Sequence, residues 1–287
     1  MRLALVIFVW ASALGAPAAT TRFAIVGDFG MDNANELEVA NLIKTNFQPE
    51  FIVTVGDNNY LGPANIDDAI GKYYHSFIGN YSGGYGAGAA SNRFFPALGN
   101  HDRDGGNGFT AHTNYFTLPG NERYYDFVRG PVHFFLLNTD PEEPNGTTVT
   151  SVQALWFSNR LASSTAPWRI VVAHDPPYSS GQAHASMRWP FEEWGASLVV
   201  SGDSHHYERI LRDGFPYVVN GSGGASLSGF GTPTVANQRS INIAIHTNNP
   251  DTLAGRPEGK RCGLKFTTAV TFCHRVCDVR RYDFRCF

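Results

Sequence analysis

The sequence predicts an α/β fold of βαβ units whose functional groups gather at the carboxyl ends of its strands. Three observations lead there. Short apolar runs alternate with helical stretches along most of the 287 residues. The runs are rich in Val, Ile, Leu and Phe, as strands covered on both faces are. Five of them end in a short polar group, and in open α/β sheets ligands bind beyond the carboxyl ends of strands.

In chain order, strands are expected at 23–26, 51–55, 94–98, 133–137, 170–173 and 198–200. Helices are expected at 36–45, 66–77 and 151–161, the last opened by a capping box of Thr150 and Gln153. The polar groups are Gly27-Asp28, Gly56-Asp57, Gly99-Asn100-His101-Asp102, His174-Asp175 and Gly202-Asp203-Ser204-His205. No internal repeat of fixed period is visible.

The organisation around this domain is also legible. Arg2, an apolar run over 3–14 and small residues at Ala16-Pro17-Ala18 have the order of a secretory leader, expected at 1–19. The run is too short to span a bilayer, so a secreted or luminal protein, lysosomal in one version, without a membrane anchor is expected. The sequons at Asn80, Asn145 and Asn220 fit that route; Asn145 is the expected acceptor, and Asn220, close to the suspected site, is not. All four cysteines, Cys262, Cys273, Cys277 and Cys286, lie near the end of the chain and read as two disulfides, with a zinc site using His274 as the alternative. The domain is expected over 20–231, followed by a Cys-containing segment over 232–287. With 43% hydrophobic residues a sizeable core is available, and a net charge of −3 gives no sign of nucleic-acid binding.

Singly, a Gly-Asp after a strand is most often a turn, and a His there a structural residue. Jointly, Asp, Asp, Tyr, Asn, His and His in order at successive strand ends mix hard oxygen donors with imidazole. That mixture suits two adjacent metal ions, with a carboxylate bridging them.

The five blocks resemble those of the calcineurin-like metallophosphoesterases, and in particular of small, tartrate-resistant-type purple acid phosphatases. Gly27-Asp28-Phe29-Gly30 is similar to the first block. Gly56-Asp57-Asn58-Asn59-Tyr60 is similar to the second, its Tyr marking the purple branch. Gly99-Asn100-His101-Asp102, Val171-Val172-Ala173-His174 and the stretch from Gly202 to Arg209 are similar to the third, fourth and fifth. The resemblance implies a four-layer α/β/β/α sandwich of two mixed sheets, with helices outside and the metal site at the strand ends. It implies a dinuclear centre: Asp28, Tyr60 and His205 on Fe(III), Asp57 bridging, and Asn100 and His174 on a divalent Fe, Zn or Mn. It also implies a metal-bound hydroxide that attacks phosphate monoesters in line, so the expected activity is a secreted acid phosphatase acting on phosphorylated small molecules or phosphoproteins. His101 and His184 are the expected catalysts beside the metals, with Asp102 orienting His101. The alternatives are a phosphoesterase for diesters or nucleotides, and a non-catalytic glycoprotein that keeps the fold.

Two features depart from the family. Its fifth block reads Gly-His-x-His, and here Asp203 stands at the first His. Asp203 is therefore expected on the second metal, the competing expectation being that His206 turns inward. The segment from Thr232 onward lacks the alternating hydrophobic strands usual in the family, and from Arg256 it carries eight Lys/Arg against three Asp/Glu.

Overall fold

The structure, a computed structural model, describes residues 21–103, 108–231 and the strand 239–241. The expected leader, the four cysteines and His274 lie outside the described residues, as does most of 232–287.

A small sheet holds β1 (Phe23–Val26), β2 (Phe51–Thr54) and β3 (Phe94–Pro96), in that order and all parallel. A larger mixed sheet holds β4 (Tyr125–Arg129), β5 (Val132–Leu136), β6 (Trp168–Val172), β7 (Leu198–Ser201), β8 (Tyr207–Arg212), β9 (Phe215–Asn220) and β10 (Arg239–Ile241). Its order is β10-β8-β9-β7-β6-β5-β4. β5, β6, β7 and β9 are parallel neighbours, and antiparallel pairs close both edges. The sandwich and its strand-end site follow the expectation, except that the smaller sheet is wholly parallel among the described residues.

Period-two alternation builds the layers. Phe134, Leu136, Ile170, Val172, Leu198 and Val200 point from the larger sheet to the smaller one and pack with Phe23, Ile25, Phe51 and Val53. The intervening Phe135, Val171, Ala173 and Val199 point the other way, onto Phe157, Leu161, Trp189 and Phe191. Helix α1 (Ala34–Asn41) joins β1 to β2, and its last turns widen to π-type over Leu42–Phe47. A broken run of helical turns from Pro63 to Phe77 includes α2 (Lys72–Tyr74) and joins β2 to β3. Helix α3 (Thr110–Tyr115) precedes β4, and α4 (Val152–Ala162) joins β5 to β6.

The cap of α4 differs from the one expected. Ser151 caps it by accepting from Ala154 N, while Gln153 turns inward to bond Asn138 on both backbone atoms. At the sequons, Asn80 is exposed, Asn145 Nδ2 donates to the Tyr124 hydroxyl at 2.7 Å, and buried Asn220 donates to Ile25 O at 2.9 Å.

Candidate metal centre

The two sheets meet at the carboxyl ends of β1, β2, β6, β7 and β9. Asp28 and Asp57 leave adjacent parallel strands, and Asp28 N donates to Gly56 O at 3.1 Å. His174 leaves β6 and reaches across to the smaller sheet, its Nδ1 2.9 Å from Val55 O. A carbonyl can only accept, so Nδ1 carries a proton, and Nε2 is the ring nitrogen turned to the site. A Cβ on Gly56 would stand 2.5 Å from that ring, so glycine there makes room for the imidazole.

Asp28, Asp57 and Asp203 each follow a glycine and each adopt a left-handed backbone, with φ of 57°, 51° and 63°. Non-glycine residues rarely sit there, Asp and Asn most readily, and such strain clusters at functional sites. Three repeats of one strained Gly-Asp turn at three strand ends bring three carboxylates to the same end of the sandwich.

The expected residues form two groups of donors. In the first, the Tyr60 hydroxyl lies 3.5 Å from Asp28 Oδ1 and 3.2 Å from His205 Nε2, and His205 Nε2 is 3.4 Å from Asp28 Oδ1. His205 Nδ1 is held by Ser226 O at 2.9 Å, again leaving Nε2 inward. In the second, His174 Nε2 lies 3.1 Å from Asn100 Oδ1, 3.3 Å from Asp57 Oδ1 and 3.9 Å from Asp203 Oδ1. Ligands about 2.0–2.2 Å from one ion stand roughly 3.0–3.5 Å apart in octahedral or tetrahedral shells, and most of these edges fall within or close to that range. Ligand atoms of Asp28, Asp57 and His174 lie within 4.8 Å of one another, as do those of His174, Asp175 and Asp203. The donor set therefore fits a pair of cations.

The electrostatics point the same way. Burial pushes the Asp28 carboxyl up, while His205 and His174 draw it down. Burial works to raise Asp57 too, but His174 and the His101 N–H outweigh it and hold it at about 2. Burial acts to lower His174, yet Asp57, Asp28 and Asp203 raise it well above its ordinary value. Burial, with Asp28 and Asp57 alongside, raises the Tyr60 hydroxyl far above the usual phenol range. Packed carboxylates of this kind demand positive charge.

The remaining residues divide. His101 is exposed at the mouth, its backbone N–H on Asp57 Oδ1 at 2.9 Å and its ring 4.4 Å from that of Tyr60. Asp102 does not orient it. That carboxylate is turned inward, accepting from Asn58 N, Asn58 Nδ2 and Gly99 N at 2.8–2.9 Å, and burial pushes it up to about 7. It braces the second block against the third. His206 also faces away: it is wholly buried, with Nε2 3.3 Å from both Ser179 Oγ and Glu208 Oε2, so Asp203 alone of the two faces His174. His184 meets Asp203 Oδ2 at 3.0 Å.

The sequence reading named Asp175 at a strand end without giving it a role, and passed over the group after β5. Asp175 lies 3.4 Å from His184 through Oδ2 and Nδ1. Asn138-Thr139-Asp140 follows β5, and Thr139 Oγ1 accepts from Asp175 N at 3.2 Å. The signal was there in both: a polar residue directly after an apolar strand.

Comparison with known proteins shows the family. Over 212 residues the chain is 24% identical to purple acid phosphatase 1 of Ipomoea batatas, covering 66% of this chain but only 43% of that one. It is 24% identical over 284 residues to tartrate-resistant acid phosphatase type 5 of Rattus norvegicus, covering 84% of this chain and 83% of that one. Among solved structures it shares its fold with GAP50, the anchor in the inner membrane complex of Plasmodium, at a TM-score of 0.57, 21% identity and 76% coverage of each chain. The profile of the calcineurin-like phosphoesterases matches residues 21–207, which carry every strand-end group described above except the tail of the fifth block. The chain belongs to the calcineurin-like phosphoesterase family, whose members work through a dinuclear metal site.

Proposed function

We propose that this chain is a secreted, metal-dependent acid phosphatase that hydrolyses phosphate monoesters. One observation carries the reading: two adjacent donor groups, with Asp57 within ligand reach of Asp28 in the one and His174 in the other. Asp28, Tyr60 and His205 would hold a first ion, and Asn100, His174 and Asp203 a second, with Asp57 available to both. The first is Fe(III). A phenolate and carboxylates are hard anionic donors and favour a trivalent ion. The second is divalent Fe, Zn or Mn. When bound, the pair supplies a cationic clamp on the phosphoryl oxygens and a nucleophile from water at low pH.

The chain's own residues do the rest. The protonated Nδ1 atoms of His174 and His205 fix both imidazoles with Nε2 inward. Asp102 ties Asn58 to Gly99 and so fixes Asp57 relative to Asn100. His101, exposed beside Tyr60, delivers a proton to the departing alkoxide. Monoester substrates are supported by the acid phosphatases among the relatives. The order of charge, apolar run and small residues over 1–19 supports secretion.

Asp203 favours a second reading, a protein that keeps the fold without catalysis. Metal analysis with an absorption spectrum, followed by a panel of monoesters and diesters across pH 4–8, separates the readings. Two ions per chain, a visible ferric–phenolate band and preferential monoester cleavage are expected. One ion or none, with no hydrolysis, would leave only the fold-retaining reading.

A further inference from the structure

The histidines of the two donor groups share one arrangement. His174 and His205 each engage an acceptor through Nδ1, at 2.9 Å in both cases, and turn Nε2 to the site. His184 repeats it. Its Nδ1 lies 3.4 Å from Asp175 Oδ2, and its Nε2 lies 3.0 Å from Asp203 Oδ2 and 3.2 Å from the Gln182 amide nitrogen. An outward carboxylate on Nδ1 is the usual support of a metal-ligating imidazole, because it fixes the tautomer and the ring plane. His101 shows no such support among the described contacts: its ring lies tilted against that of Tyr60, and its backbone rather than its ring meets Asp57.

His184 is also rigidly placed. It lies on the connection between β6 and β7, and its N–H bonds Pro176 O at 2.8 Å. The preceding residues are tied to the fifth block. Gln182 N donates to Ser204 Oγ at 2.8 Å, Ser204 Oγ donates to Gln182 O at 3.1 Å, and Ser180 N donates to Glu208 Oε2 at 2.8 Å. The Asp203 carboxylate thus stands between two imidazoles, Oδ1 towards His174 and Oδ2 towards His184. Where the family resemblance leads one to expect an imidazole at position 203, the chain has a carboxylate, and a further imidazole stands directly beside it.

We propose that His184 is itself a ligand of the second cation, supplying the imidazole that Asp203 does not, with Asp175 as its positioning carboxylate. This rests on the two-metal reading above. Such a shell has two imidazoles, as a Gly-His-x-His block would provide, but carries one more negative charge.

The test is metal binding rather than turnover. Metal-free wild type, His184→Ala and Asp175→Asn are titrated with Zn(II) by equilibrium dialysis and metal analysis, and with Co(II) by absorption. Thermal unfolding of the metal-free forms checks that each variant folds. Wild type is expected to take up two ions. Asp175→Asn should weaken the second about 10–100-fold, and His184→Ala should weaken it at least as much and change the Co(II) spectrum, while the first ion stays tight. If both variants bind two ions with wild-type affinity and spectrum, His184 is no ligand and the proposal falls while the two-metal reading stands. If wild type itself binds one ion or none, both fall. Should His184→Ala not fold, Asp175→Asn decides alone: unchanged affinity for the second ion overturns the proposal.

Discussion

Replacing Gly30 with alanine puts a methyl group where the first and second blocks touch. Its Cβ would lie 1.8 Å from Asn58 O, 2.3 Å from Asn58 C and 2.7 Å from Asn59 N, all backbone atoms. Restoring an ordinary contact of 3.4 Å requires about 1.6 Å of separation, which no rotamer change can supply. Asn58 cannot yield cheaply, because Thr54, Ala97 and Asp102 all bond its side chain. The displacement therefore falls on the Asp28 and Tyr60 loops, which are also joined by Tyr60 N donating to Gly30 O at 2.8 Å. The first donor group depends on edges of 3.2–3.5 Å, so a shift of that size dismantles it. Overpacking costs roughly 1–3 kcal/mol of stability, and a misplacement of about 1 Å costs on the order of 10²-fold in rate. The assay is iron content and phosphatase activity of Gly30→Ala beside Gly84→Ala, whose Cβ meets only Asp67 Oδ2 at 3.7 Å. Gly84→Ala should behave as wild type. A Gly30→Ala protein with full iron content and undiminished activity would refute the argument from close approach.

Four further outcomes are expected. Asp203→His removes one anion from the centre; at about 5 Å and an effective dielectric near 20 a unit charge is worth roughly 3 kcal/mol, so the activity profile should move towards acid by up to about two pH units, and an unmoved profile counts against Asp203 as a ligand. By contrast, His206→Ala should keep both ions and lose stability, since Glu208 loses an imidazole 3.3 Å away; loss of the second ion would reverse that assignment. Tyr60→Phe should keep iron but lose visible absorption, and a coloured variant would exclude the phenolate. Glu36 is pushed up to about 9 by burial, against the Asp32 and Met31 N–H groups that bond it. A carboxyl raised from its ordinary 4.5 binds a proton in the folded chain that the unfolded chain has released. Its effect on stability is therefore a loss as pH rises from about 4.5 to about 9, at roughly 1.4 kcal/mol per pH unit. Glu36→Gln should flatten the pH dependence of thermal unfolding between pH 5 and 8, and an unchanged slope would show that Glu36 is ionised in the fold.

The sequence by itself determined the strand-end chemistry. Six of the apolar runs are strands within one or two residues of their expected bounds, because strands buried on both faces must be continuously apolar. The four strands it missed are β4, β8, β9 and β10. β8, Tyr207–Arg212, carries Glu208, Arg209 and Arg212 and so resembles a polar tail, and it is a strand because β9 and β10 pair with it on both sides. Asp28, Asp57, Tyr60, Asn100, His174 and His205 could be picked out by residue type at or just beyond the strand ends, and Asp28, Asp57 and Asn100 also by the glycine before each. Only the tertiary structure decided how they meet. The register of β1 with β2 and of β6 with β7, and the reach of His174 to Val55 O across two sheets, are non-local pairings with no local signature. The same holds for direction. Along 203–206 successive side chains alternate sides, so Asp203 and His205 face the donors while Ser204 and His206 face the loop at 179–182. Composition cannot say which of two adjacent histidines points inward, nor that Asp102 turns from His101 to Asn58. A residue type is local, whereas the face it presents is set by the partner its backbone pairs with.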